Sequence, residues 1–317
     1  MTQIAFGSAE LPEMQEKYIP CEDCIVTLNT TGCIKRMPPR VFLSRPEDAD
    51  EMLTQVIETK TDRHLRCFSD LGQCYTIDVL NIPEAKWKEK GAHIASIFAG
   101  LEKDECFVSL LDITDLPTES CLDFYTHTGM VKRTRVNEYS TKTKRIAACG
   151  LNDNDRVIAV APTDPSASIL MVTRNGMSIQ FQPKEVSEMG RAAKGVHGIN
   201  LEPDDCVIYA AQTYPEGEVV VITDRGYAKR SFIFDYELQK RNGKGLKTID
   251  FKKNASNGQI VAAAFYVRMP FDIEVMQAHG DKTIVNTEEI MIQPRFSKGM
   301  PIVMALMDNV VETAIRV

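Results

Sequence analysis

Leu122-Asp123-Phe124-Tyr125-Thr126-His127-Thr128-Gly129-Met130-Val131-Lys132-Arg133 holds the pattern that decides the fold of this chain. A strand-like run, Leu122 to Thr126, meets a short polar turn closed by Gly129, and a second strand-like run follows. Glycine at the end of such a turn supplies the positive φ that a tight β-hairpin needs. The same unit returns at Ile25 to Gly32, Leu65 to Gly72, Ile169 to Gly176, Val219 to Gly226 and Ile273 to Gly280. With Gly129 that makes six hairpins.

The spacing is regular. Glycines 32, 129 and 226 are 97 residues apart, and glycines 72, 176 and 280 are 104 apart. Four units carry a second glycine, preceded by lysine, 19 residues after the first: Lys90-Gly91, Lys194-Gly195, Lys244-Gly245 and Lys298-Gly299. The segments between are strand-like again, as in Asp205–Ala210 and Gln259–Ala264. Six units of several short strands predict an all-β domain, with blades set around an axis. Helical repeats are excluded because the 3.6-residue period is missing from the unit cores. The one helix-friendly stretch, Glu47 to Lys60, is expected to be an elaborated loop of the first blade. Residues 1–19 read as a tail or linker and 20–317 as one six-bladed domain.

Composition sets the class. Of 317 residues, 44% are hydrophobic and 26% charged, as in an ordinary water-soluble protein. Neither a membrane-length apolar run nor a signal peptide is evident, so the expected location is the cytoplasm, with no membrane contact. The nine cysteines are odd in number and scattered through strand-like runs, which suits small core residues better than disulfides. Cys21-x-x-Cys24 lacks the second ligand pair of a structural zinc site, so no metal is expected. The net charge of −7 argues against a polyanionic partner, but −4 of it lies in residues 1–24. The remaining body is nearly balanced, and what matters for DNA is where the charge sits.

That charge recurs in register. The odd units carry Lys35-Arg36, Lys132-Arg133 and Lys229-Arg230 at the same distance after the hairpin glycine. Alternation along a strand turns one member of each pair outward. Three such positions, with Lys90, Lys194, Lys244 and Lys298 in the outer loops, predict a basic track on a rim. Arg135, Arg191, Lys240 and Arg241 fall close by. A periodic basic rim suits the DNA backbone, where neutralising phosphates gives affinity independent of sequence. Catalytic features are thin. The five histidines share no ligand spacing. Gly190–Gly195 and Gly243–Gly245 fail the phosphate-loop pattern, and Asp153, Asp155, Asp204 and Asp205 read as solvated turn carboxylates. No catalytic residue and no cofactor is expected.

The combination Thr-x-x-Gly-hydrophobic-x-Lys-Arg followed by Lys-Gly resembles the carboxy-terminal domain of the A subunit of DNA gyrase and of topoisomerase IV. Glu22–Arg36 is similar to that family's first blade and Gly190–Leu201 to a later one, and the resemblance covers about residues 20–317. It implies a β-pinwheel, a propeller-like disc whose blades exchange strands, that binds and bends duplex DNA on its outer rim. It also implies the partners: the ATPase B subunit, and the breakage-reunion core of the same polypeptide, which carries the catalytic tyrosine. On that basis the chain is expected to be an accessory part of an enzyme and not an enzyme, and a piece excised from a longer polypeptide is favoured over a free-standing protein. The family's gyrase heptad has its nearest match at Gln239-Lys240-Arg241-Asn242-Gly243-Lys244-Gly245, five of seven positions, in the fifth unit instead of the first. That displacement favours the topoisomerase IV type, or a diverged gyrase paralogue, over a supercoiling gyrase. The alternative, motivated by the acidity, is a propeller-type protein-interaction scaffold without DNA affinity.

Overall fold

Each of the six sequence units forms a hairpin, and each hairpin is the centre of a small antiparallel sheet in the computed structural model, which describes residues 21–46, 51–98, 100–306 and 308–317. The expected tail, 1–19, lies outside the described residues.

The first unit forms β1 (Asp23–Asn29), β2 (Cys33–Met37), the short helix α1 (Pro39–Leu43) and β3 (Leu53–Lys60). The second forms β4 (His64–Ser69), β5 (Gln73–Asp78), β6 (Ala92–His93), helix α2 (Ile94–Ile97) and β7 (Phe107–Asp112). The third forms β8 (Cys121–Thr126), β9 (Met130–Arg135), β10 (Arg145–Ala147) and β11 (Val157–Pro162). The fourth forms β12 (Ser168–Thr173), β13 (Met177–Phe181), β14 (Val196–His197) and β15 (Val207–Thr213). The fifth forms β16 (Glu218–Thr223), β17 (Tyr227–Phe232), β18 (Leu246–Lys247) and β19 (Val261–Val267). The sixth forms β20 (Asp272–Gln277), β21 (Lys282–Asn286), β22 (Met300–Pro301) and β23 (Val311–Arg316).

The third strand of each unit from the second onward leaves its own blade. β6 pairs with β2, β10 with β5, β14 with β9, β18 with β13 and β22 with β17. Among the described residues five sheets thereby have four strands and the sixth, β21-β20-β23, has three. The result is a ring of six blades with strand exchange, as the resemblance implies.

The sequence explains the hairpins in detail. In blades three to five the hydroxyl of the threonine three residues before the hairpin glycine accepts the N–H just after it, Met130 to Thr126 and Tyr227 to Thr223 among them. The six hairpin glycines all have positive φ. The pairing register slips at the same place in every blade, at Asn29, Ser69, Val157, Thr173, Thr223 and Gln277. That shared bulge bends each blade alike.

Blades pack face to face, so the first strand of each hairpin is buried on both sides. Ile169 to Val172 and Val219 to Ile222 are fully buried, which is why they read as unbroken apolar runs and not as alternating ones. Five cores form between successive blades, the one between blades three and four built on Tyr125, Val131, Ile169, Met171 and Phe181. Among the described residues no core joins blade six to blade one. There the free face of blade one is covered by α1 and by the loop of the second unit, with Phe42 and Trp87 over Ile25 and Met37. Blade six reaches that region through Lys282, whose Nζ lies 3.1 Å from Met52 Sδ.

One expectation is corrected. The stretch from Glu47 to Lys60 is not a helical loop, since its described part contains the strand β3. Thr54, Val56, Ile57 and Thr59 are β-branched, and pairing with β1 satisfies their backbone. The helix falls earlier, where Pro38 and Pro39 fix the chain for a helical start. Among the described residues no helix is long and apolar enough to cross a membrane.

Candidate nucleic-acid interface

Strand exchange decides where each basic residue lies, because a loop that belongs to one unit in sequence covers the rim of the blade before it. The crossing depends on the second glycine. Gly195 has φ +92°, and a Cβ there would sit 2.5 Å from the carbonyl oxygen of Val131 in the blade below. Gly91 and Gly245 make the same approach to Ile34 and Ser178, also 2.5 Å. Only glycine brings the exchanged strand this close.

The lysine of the Lys-Arg signature serves this crossing and not the rim. Lys35, Lys132 and Lys229 are fully buried. Lys35 Nζ donates to the carbonyls of Lys86, Trp87 and Glu89 and pairs with Glu51. Lys132 Nζ donates to Ala148 O and, at 2.7 Å, to Arg191 O, and it lies 4.8 Å from the Phe124 ring. Lys229 Nζ donates to Ser231 Oγ and reaches Pro294 O. Burial lowers the Lys132 ammonium to a pKa of about 8 and that of Lys229 to about 7. The expectation of DNA contacts at these three lysines is therefore corrected. Their register is that of the strand-exchange junction, whose loop carbonyls need a donor from below.

The arginine of the signature is the outward member but is already paired. Arg133 makes a two-pronged contact with fully buried Asp123, Nε–Oδ1 2.7 Å and Nη2–Oδ2 2.8 Å. Arg36 pairs with Glu84 at 2.7 Å and Arg230 with Glu218 at 3.1 Å. Arg135 is exposed, held between Glu188 and Glu119.

The outer loops hold the free charge. Lys90, Lys194, Lys240 and Lys298 are exposed, and among the described residues their ammonium groups have no ion pair or hydrogen bond. Lys244 is exposed and tied to Glu202 at 2.8 Å, which lowers the Glu202 carboxyl and raises Lys244. Arg191 and Arg241 are half-buried tethers: Arg191 Nε lies 3.7 Å from Glu138, and Arg241 donates to Glu185 O and His197 O. Arg295 occupies the same place in the last unit, donating to Asp235 O. The spacing Arg-x-x-Lys-Gly at 191, 241 and 295 was visible in the sequence and separates tethering arginine from exposed lysine. The gyrase-like heptad, counted in the fifth unit, lies on the rim of the fourth blade, since β18 pairs with β13. The turn acids also differ from expectation. Asp155 is buried and accepts the N–H and hydroxyl of Thr128, and Asp205 accepts the N–H of Asn175.

Known proteins share this architecture. Residues 125–164, 167–213 and 217–265, blades three to five, match the family described as DNA gyrase C-terminal domain, beta-propeller. The chain is 27% identical over 317 residues to the DNA gyrase A subunit of Chlamydia muridarum, covering 95% of this chain and 38% of that protein. It is 29% identical over 293 residues to the DNA topoisomerase 4 A subunit of Bacillus subtilis, covering 90% and 36%. With the DNA gyrase A subunit of Clostridium acetobutylicum it shares 34% over 299 residues, covering 90% and 35%. The chain thus spans little more than a third of these relatives. Among solved structures, the C-terminal domain of DNA topoisomerase IV superposes with a TM-score of 0.85 at 25% identity, covering 95% of this chain and 94% of that one. The DNA gyrase A C-terminal domain, at 18% identity and a TM-score of 0.68, shares the fold. Repeat, relatives and architecture agree that this chain is homologous to the C-terminal β-propeller domains of the A subunits of DNA gyrase and topoisomerase IV.

Proposed function

We propose that this chain is an accessory DNA-binding domain of a type II topoisomerase, one that holds duplex DNA along its outer rim and itself performs no chemistry. The observation that carries this reading is the row of exposed, unpaired lysines, Lys90, Lys194 and Lys298, at one register on the rims of blades one, three and five. Lys240 adds to it on blade four, beside Lys244, which is exposed but paired with Glu202. Such a row presents ammonium groups at intervals to a phosphate backbone and reads no sequence. The partners on this reading are the ATPase B subunit, together with the breakage-reunion core of the same polypeptide, in the cytoplasm at the nucleoid, with no cofactor bound here. The topoisomerase IV type is favoured over gyrase by the displaced heptad and by the low net charge of −7. A protein contact on one arc has its own support: Phe232 and Phe234 are exposed and stacked at 5.1 Å, and exposed Met291 and Ile292 pair with Arg230, two residues before Phe232.

The test is nicked-circle ligation with increasing amounts of the domain, alongside filter binding of duplex across a salt series. Salt-sensitive binding without a change in linking number matches the topoisomerase IV type, whereas a linking-number shift assigns gyrase-like wrapping. No binding at low salt would overturn the DNA reading.

A further inference from the structure

Blade two inverts the charge pattern of its neighbour. In blade three Asp123 on β8 faces Arg133 on β9 and neutralises it. At the same place in blade two, Arg66 on β4 faces Thr76 on β5. The guanidinium is where the carboxylate would be, and the signature arginine is missing. Arg66 is 8% exposed. Its Nε donates to Tyr139 O at 2.8 Å, while its Nη1 has no partner, and among the described residues no carboxylate pairs with it.

Arg66 lines a cavity of ≈ 820 Å³ that opens on the rim of blade two. Its wall is the loop that unit three sends across, bearing exposed Lys142, Lys144 and Arg145. Opposite stands His64, held through Nδ1 by Asp78 at 2.6 Å. Asp78 is the one carboxylate in the lining, against four permanent cations. A buried guanidinium without counter-charge is costly, and a chain keeps one where something else supplies the anion. The planar donor set of arginine, flanked by lysines as point charges, suits a tetrahedral oxyanion.

We propose that this cavity is a phosphoryl-binding site, with Arg66 as its floor and Lys142 and Lys144 as its rim. It takes either a backbone phosphate of DNA lying on the rim or the phosphate of a small phosphorylated molecule. The first case rests on the DNA reading above and gives blade two an anchoring point where it has no Lys-Gly loop.

The experiment uses the full chain, inorganic phosphate, a 30-bp duplex and three variants: Arg66→Gln, the exposed double change Lys142→Ala/Lys144→Ala, and Lys253→Ala as a distant control. Phosphate is expected to shift the amide resonances of Thr76 and Arg145 in the wild type, and both cavity variants are expected to weaken that binding by about tenfold or more, the effect of losing a charge-assisted hydrogen bond. If the site takes backbone phosphate, the slope of log affinity against log salt for duplex also falls by about 1 for each contact removed, with Lys253→Ala unchanged. Phosphate binding with unaltered duplex slopes supports the site and assigns it to small phosphorylated molecules. No phosphate shift and unaltered slopes overturn the site while wild-type duplex binding leaves the rim reading standing. If the wild type fails to bind duplex, the rim reading falls and the phosphate titration alone decides the site.

Discussion

Lys132 Nζ lies 2.7 Å from the carbonyl oxygen of Arg191, a residue 59 positions later that the fourth unit sends across the third blade. A buried ammonium thus fastens a loop whose own lysine, Lys194, faces solvent. The two lysines are close in space and opposite in role, and the same division holds for Lys229 and Lys298.

Removing a fastening lysine is expected to leave DNA affinity alone. Lys132→Met or Lys229→Met, checked for a retained fold by circular dichroism, should bind duplex with the wild-type salt slope. The fourfold change of Lys90, Lys194, Lys240 and Lys298 to Ala should lower the slope by about 1 per lysine that meets a phosphate. Each of these exposed changes should alter stability by no more than about 0.5 kcal/mol. A slope lowered by Lys132→Met and not by the rim variant would reverse the assignment.

The Asp123–Arg133 pair predicts a steep stability loss. Asp123→Ala strips a fully buried carboxylate from a half-buried guanidinium and should cost about 3–5 kcal/mol in denaturant unfolding, the usual cost of breaking a buried pair. The double change Asp123→Leu/Arg133→Leu should recover much of it, because no charge is then left uncompensated. A loss under about 1 kcal/mol for Asp123→Ala would show the pair to be solvated.

Two glycines separate backbone strain from close approach. Both Gly195 and Gly280 have positive φ, +92° and +88°, but a Cβ at Gly280 meets nothing within 4 Å. Gly280→Ala should cost only the strain, about 1–2 kcal/mol. Gly195→Ala should cost more, because its Cβ meets Val131 O and must displace β14. Thermal midpoints of the two variants decide it; equal losses would mean that the crossing tolerates a methyl group.

Lys229 gives the pH dependence a sign. Its pKa falls from the ordinary 10.5 to about 7, because burial disfavours the charged form. Between those values the unfolded chain holds a proton that the folded chain has released, so this group adds stability as pH rises through the window. That contribution is complete above 10.5 and is lost as pH falls through about 7. Relative to Lys229→Met, the wild type should gain stability from about pH 7 to about pH 9.5, and the Lys229 13Cε resonance should titrate near neutrality. Titration alongside the exposed lysines would contradict the burial account.

How much was legible follows from the range of the interactions. Turn chemistry is local: the hairpin glycines and the threonines three residues before them act within a few residues of one another, so six hairpins stood in the sequence. Runs such as Val219-Val220-Val221-Ile222 announced strands buried on both faces. The β3 strand was misread because Glu47, Glu51 and Glu58 favour a helix locally, whereas the β-branched residues among them and the pairing with β1 decide for a strand.

The sequence by itself determined the count of blades, the all-β class and the register of the basic residues, since each depends on neighbours in the chain. Tertiary structure alone decided which basic residues meet solvent. Strand exchange moves the outer loop of each unit from the second onward onto the preceding blade, burying Lys35, Lys132 and Lys229 beneath carbonyls distant in the chain and leaving Lys90, Lys194 and Lys298 outside. It also placed Arg66, which stands at the position of Asp123, where among the described residues no carboxylate pairs with it. Charge in a sequence has a position but no direction, and the desolvation that decides its role comes from segments far away along the chain.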